Sequence, residues 1–192
     1  GYSIKKITKM AISDITDEAL MLKAQQGELN AIGVLYQRYS KKLYNFFLRL
    51  TANRDTSSDL TQNVFYRVLK YRNSYDSKHL YKTWMYQMAR NCLADHREMS
   101  GKHPNVHDTE KVLSSMVDDD TISSQVAQDA LLYKAIENLP FESKELLVMS
   151  KFQGLKYEEI ANITGDTVPN IKVKVHRTMI KLKELYFELE KV

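Results

Sequence analysis

Between residues 66 and 86, Tyr66, Tyr71, Tyr75, Tyr81, Trp84 and Tyr86 are interleaved with Arg67, Lys70, Arg72, Lys78 and Lys82. Every base has a π-face, and stacking on an aromatic ring is worth about 1–3 kcal/mol per base. Aromatics alternating with cations therefore suit a platform for unpaired nucleic acid. A packed core is the competing use of the same rings. Tyr81 and Trp84, three residues apart, read as core or as a partly buried wedge. Tyr75 lies in a polar break and is better placed to meet a base. A second stretch, residues 167–183, carries Lys172, Lys174, Arg177, Lys181 and Lys183 and no acid. That is a footprint for phosphates, although on charge alone a solvated helix face is the better account.

Other chemistry finds little support. Cys92, Asp95 and His96 fall on one helix and read as a buried thiol with surface neighbours. His103 and His107 are four apart but lack a nearby third ligand, so a zinc site is not expected. A single cysteine excludes an internal disulfide, and six glycines form no glycine-rich phosphate loop. No Ser, Asp or Glu spacing resembles a hydrolase. The chain is read as a non-enzyme with no metal, no cofactor and no small-molecule substrate. No apolar run approaches the ~18–20 residues of a membrane span, so no membrane insertion is expected, and the expected location is the cytoplasm.

These residues need elements to position them. At 192 residues, 43% hydrophobic and 27% charged, the composition is globular and suits one or two small domains. Charge is uneven: residues 1–98 hold 16 Lys and Arg against 9 Asp and Glu, 99–126 hold 2 against 5, and 127–192 hold 10 against 10. Residues 1–15 read as a tail, with Met10 a candidate native start. A helix opens at Thr16 as N-cap, with Asp17 and Glu18 in its first turn, and stops near Gly27. Leu29, Ile32, Leu35, Tyr36, Tyr39, Leu43, Phe46, Phe47 and Leu50 mark a second helix. Thr56–Ser57–Ser58–Asp59 offers caps for a third, with Leu60, Val64, Phe65, Val68 and Leu69. A fourth runs from about His79 to Glu98. Residues 99–126, with Gly101, Pro104 and Asp118–Asp119–Asp120, read as a flexible linker. The last part is helical again: Gln128 to Asn138, Glu142 to Phe152, Tyr157 to Ile163, and a long helix from about Val168 to Glu190. The expected fold is all-α, with domains over 16–98 and 127–192.

Ala161, Gly165 and Ile171 have the spacing of a helix-turn-helix: a small residue at the crossing, a turn residue tolerating positive φ, and an apolar residue facing back. Thr167 caps the second helix and Pro169 falls in its first turn. At about 100° per residue, Ile171, Val175, Thr178 and Leu182 share one face. The opposite arc carries Pro169, Asn170, Lys172, Val173, His176, Arg177 and Ile180, with Lys174 beside it. Its polar members can meet phosphates and base edges. Outward Val173 suits a thymine methyl, or is an ordinary exposed apolar residue.

Leu139–Pro140, Leu155–Lys156–Tyr157–Glu158–Glu159–Ile160–Ala161, Ile171–Lys172 and His176–Arg177 resemble region four of bacterial sigma factors, most closely the extracytoplasmic-function branch of the sigma-70 family. Asp59–Leu60–Thr61–Gln62–Asn63–Val64–Phe65 resembles region two, where a helix binds the polymerase clamp. Thr83–Trp84–Met85–Tyr86, Ala89–Arg90–Asn91 and Asp95 resemble the part of region two that melts and reads the −10 element. The resemblance spans about residues 17–98 and 127–190. It implies polymerase contacts at Asp59, Leu60, Gln62, Asn63 and Phe65. It implies a pocket for a flipped −10 base lined by Tyr75, Tyr86 and Asn91, with Lys78, Lys82 and Arg90 also on the −10 element. Contacts to the −35 element fall to Pro169, Asn170, Lys172, Val173, Lys174 and Arg177. The implied partners are core RNA polymerase, promoter DNA and an anti-sigma factor. Lys156, Thr164, Asp166, Asn63, Val173 and Lys174 depart from the usual pattern, mostly where the −35 preference is set. Two rivals are a stand-alone helix-turn-helix regulator and a sigma-shaped adaptor that binds an anti-sigma protein instead of DNA.

Overall fold

The structure is a computed structural model that describes residues 14–101 and 124–191, and all regular structure among them is helical. Most of the expected linker, with His103 and His107, lies outside the described residues, as does most of the N-terminal tail.

Four helices form the first half: α1 (Asp17–Gln25), α2 (Asn30–Thr51), α3 (Arg54–Tyr71) and α4 (Tyr81–Ser100). The expected cap of α1 is in place, with Thr16 Oγ1 accepting the Ala19 N–H at 3.2 Å. Helix α3 starts earlier than expected. Asn53, not the Thr56–Asp59 run, is its cap, and Asn53 Oδ1 accepts the Thr56 N–H at 2.8 Å. Ser57 and Thr61 instead turn inward and are buried. Helix α4 begins two residues later than expected and has no side-chain cap of its own. Glu18 of α1 fills that role, its Oε1 accepting the Tyr81 N–H at 2.9 Å. Leu20 and Met21 of α1, Leu35, Leu43, Phe46 and Phe47 of α2, Val64 and Val68 of α3, and Met85 and Ala89 of α4 meet in one core. Each large side chain buried there contributes about 1.5–3 kcal/mol.

The second half holds α5 (Ser124–Glu137), α6 (Phe141–Leu147), α7 (Tyr157–Thr164) and α8 (Val168–Glu190). Helix α6 runs into a π-helical turn over Val148–Phe152, and Gly154 at φ +63° ends it. The distal half of α8 packs Leu182, Leu185, Tyr186 and Leu189 against Ala135, Ile136 and Leu139 at the end of α5 and against Leu147.

The two halves are docked on one another. Leu146, Met149, Ile160 and Ile163 of the second half join the core of the first. Polar contacts seal the junction. Arg90 of α4 grips Glu145 of α6 through Nε at 2.8 Å and Nη2 at 3.2 Å. Lys82 Nζ lies 2.7 Å from Glu159 Oε1. The Tyr86 hydroxyl donates to Gln153 Oε1 at 2.7 Å, and Gln87 Nε2 donates to the Asn162 carbonyl at 2.8 Å. Arg97 stacks over the Phe141 ring 3.6 Å from its centroid.

Candidate nucleic-acid interface

The helix-turn-helix is built as its spacing requires. Ile160 and Ala161 of α7 face Ile171 and Val175 of α8, and all four are buried. Gly165 sits at φ +74°, ψ +17°, the left-handed region that an L side chain enters at a cost of about 1–2 kcal/mol. Its N–H is accepted by the Ala161 carbonyl at 2.9 Å. At the start of α7, Glu159 Oε2 accepts the Lys156 N–H at 2.8 Å. That carboxylate supplies the return half of a capping box at a position where lysine offers no acceptor. Thr167 Oγ1 caps α8, accepting the Asn170 N–H at 3.4 Å. Ile171, Val175, Thr178 and Leu182 are all buried, so the opposite arc is turned outward.

Every residue expected on that arc is exposed: Pro169, Asn170, Lys172, Val173, His176, Arg177 and Ile180, with Lys174 beside them. Val173 stands 47% exposed. Among the described residues one carboxylate meets this arc, and it belongs to the turn. Asp166 Oδ1 accepts from the Thr167 N–H at 2.8 Å and from Asn170 Nδ2 at 3.0 Å, and its Oδ2 pairs with Lys174 Nζ at 2.6 Å. Lys174, Asn170 and the Thr167 N–H, in that order, hold the Asp166 carboxyl down at about 2. The charge reading of residues 167–183 missed this pairing because Asp166 lies one residue before the acid-free stretch.

The aromatic–basic stretch divides into an outer and an inner set. Tyr66 is 62% exposed and Tyr71 is exposed beside it, with the Lys70 ammonium 5.3 Å from the Tyr71 ring centroid. Tyr81 is core, as its spacing suggests, and Trp84 is partly buried. Tyr75, expected to be open to a base, is 5% exposed. Its ring packs at 5.1 Å from Trp84, its hydroxyl donates to the His79 carbonyl, and Gln25 Nε2 donates to the Tyr75 carbonyl at 2.8 Å. The polar sequence around Tyr75 is a surface loop, and the ring turns inward from it. Tyr86 is 1% exposed, its ring edge-on to Phe46 at 5.6 Å and its hydroxyl bonded to Gln153 of the second half. Arg90 and Lys82 are held in the ion pairs of the junction, whereas Lys78 and Asn91 are exposed. The structure therefore does not bring Tyr75, Tyr86 and Asn91 together as one open pocket. Sequence reasoning overlooked Glu145 and Glu159, the carboxylates opposite those cations, because nothing local marks an acid that pairs across the fold.

On α3, Asp59, Gln62 and Asn63 form an exposed face, while Leu60 and Phe65 are buried. The Phe65 ring meets Tyr36 edge-on at 4.8 Å, so it is part of the core. Asn63 Oδ1 accepts from Arg67 Nε at 3.2 Å, and Arg67 Nη2 reaches Asp95 Oδ2 at 2.6 Å. A shallow groove of about 470 Å³ runs between α3 and α4, lined by Asp59, Asn63, Asp95 and His96. Cys92 is buried beneath it, and burial pushes its thiol up to about 11, which keeps it protonated and unreactive near neutrality. Among the described residues no three metal-ligating side chains cluster, and no helix is long and apolar enough to cross a membrane.

The turn geometry and exposed basic helix define a helix-turn-helix protein in which the motif is docked on a larger helical unit. Known proteins narrow the class. The profile of Sigma-70 region 2 matches residues 35–102, and that of Sigma-70, region 4 matches residues 129–182. The ECF RNA polymerase sigma-E factor of Haemophilus influenzae is 27% identical over 173 residues, 85% of this chain and 91% of that protein. The ECF RNA polymerase sigma factor SigM of Bacillus subtilis is 29% identical over 157 residues, 81% of this chain and 94% of that protein. Among solved structures, CnrH in complex with the cytosolic domain of CnrY has a TM-score of 0.69 at 18% identity, covering 88% of this chain and 96% of that one. RpoE in complex with the anti-sigma factor NepR from Bartonella quintana gives 0.58 at 22% identity, covering 85% and 96%. The chain belongs to the extracytoplasmic-function branch of the sigma-70 family.

Proposed function

We propose that this chain directs core RNA polymerase to promoters by reading duplex DNA at the −35 element and by opening and capturing the −10 element. It performs no chemistry itself. The exposed arc of α8 carries the reading: Lys172, Arg177 and their neighbours project from a helix whose other face is fully packed. Arg177 has a guanidinium fork suited to a phosphate or a guanine edge, and Lys172 acts as a point charge. The exposed face of α3 at Asp59, Gln62 and Asn63 serves the polymerase, with Leu60 and Phe65 holding that helix in place from beneath. The −10 element falls to α4 and the loop before it, where Lys78 and Asn91 are open and Lys82, Tyr86 and Arg90 become available when the halves part. An anti-sigma protein is the fitting regulator, since the structurally similar RpoE of Bartonella quintana is in complex with the anti-sigma factor NepR.

Run-off transcription from genomic fragments, with core polymerase alone and with the chain added, tests this reading. Transcripts with new start points that depend on the chain are expected. Tight polymerase binding without any such transcript would point to the sigma-shaped adaptor instead.

A further inference from the structure

Among the described residues, Asp166 is the one acid seated against the exposed arc of α8. It is engaged three ways, by Asn170 Nδ2, by Lys174 Nζ and by the Thr167 N–H. An ionised carboxylate only accepts hydrogen bonds, so chemistry fixes the orientation of the Asn170 amide: its NH2 group faces Asp166 and its carbonyl faces away. One amide hydrogen is used. What remains outward is an acceptor oxygen and a second N–H side by side. That donor–acceptor pair complements N6 and N7 of adenine in the major groove. Lys174 is affected in the opposite sense. Its ammonium is 2.6 Å from a carboxylate and is less available to a phosphate than that of Lys172, which pairs with no carboxylate among the described residues.

We propose that Asp166 is a positioning residue for −35 recognition: it orients Asn170 to read an A·T pair and withholds Lys174 from the phosphate backbone. The inference rests on the reading of α8 as the recognition helix. One residue thus trades sequence-independent attraction for sequence discrimination. Counterion release makes the first part measurable, because each phosphate contact adds about one unit of salt slope. The second part is a preference confined to one base pair.

The experiment selects a preferred duplex from a pool randomised over the −35 positions, using the full chain with core polymerase. Affinity is then measured for that duplex and each single-pair variant at several salt concentrations. Asp166→Ala is expected to lose about tenfold or more of discrimination at one A·T pair. On mismatched duplexes the same variant is expected to bind more tightly, with a salt slope steeper by about one unit. Adding Lys174→Ala to it should return the slope to that of the parent. Asn170→Ala should lose preference at the same pair, and Asp166→Ala should then cost nothing further there. A merely structural role would weaken all duplexes alike, and that result, or an Asp166→Ala variant with the parental preference, overturns the inference alone. A parent that selects no sequence overturns both the inference and the reading of α8.

Discussion

Gly165 shows how far a single residue's conformation constrains the helix-turn-helix. Its φ of +74° sets the angle between α7 and α8, and an added Cβ would meet no atom within 4 Å. Backbone conformation, not space, is therefore what selects glycine. Gly165→Ala is expected to destabilise the chain by about 1–2 kcal/mol, read as a lower midpoint in urea with an unchanged slope. An unaltered midpoint would mean that the turn relaxes to another conformation. Asp166 beside it carries a pH signature. Its carboxyl is depressed from 3.8 to about 2, so the clamp on Asn170 and Lys174 is fully present above the ordinary carboxylate value. It is lost only as pH falls through about 2. Duplex binding assayed between pH 5 and 8 should therefore show no inflection that Asp166→Ala removes.

Helices were more legible in the sequence than the contacts between them. The apolar spacing of α2 and the cap, turn and apolar face of α8 are local signals, and both helices form where those signals put them. The start of α3 was misplaced because four good caps in a row, Thr56 to Asp59, outweighed the single Asn53 just ahead of them. The Tyr75 ring is buried where its polar neighbours suggest exposure, because polarity of neighbours reports where the backbone runs, not where a ring points. Helix α4 lacks a cap of its own, and Glu18, 63 residues away, supplies it. Glu18→Ala should free the Tyr81 N–H and cost about 1 kcal/mol, a typical value for a lost N-cap, with a several-degree fall in melting temperature. Stability equal to the parent would show that water replaces Glu18 fully. On α3, the exposed pair Asp59 and Gln62 is separable from the core. Asp59→Ala with Gln62→Ala should weaken binding to core polymerase at unchanged melting temperature, whereas Phe65→Ala should lower both. Parental affinity in the double variant would move the polymerase surface elsewhere.

At the scale of the whole molecule, the charge balance of the two halves acquires a physical role. The first half carries the surplus of Lys and Arg, and the neutral second half turns Glu145 and Glu159 toward it. Two of the cations expected on the −10 element, Arg90 and Lys82, are thereby held by carboxylates of the same chain. Arg90 cannot keep its bidentate grip on Glu145 and also neutralise a phosphate, so the docked arrangement competes with the proposed −10 binding for the same groups. Sequence could not show this, because Glu145 and Glu159 are 55 and 77 residues from their partners, and the motif that contains Glu159 marks its place in the first turn of α7 and not its pairing with Lys82. The pairs are partly buried, so they are less easily screened by salt than surface pairs. Glu145→Gln with Glu159→Gln keeps side-chain size while removing both charges and leaving each residue one acceptor oxygen in place of two. The double variant should bind a single-stranded −10 oligonucleotide more tightly than the parent does. Its radius of gyration in solution scattering should rise as the halves separate. Salt should loosen the parent toward the same state and change the variant less. If the variant matches the parent in both affinity and size, apolar contacts such as Met149 and Ile160 against the first half hold the junction by themselves, and the ion pairs contribute little to it.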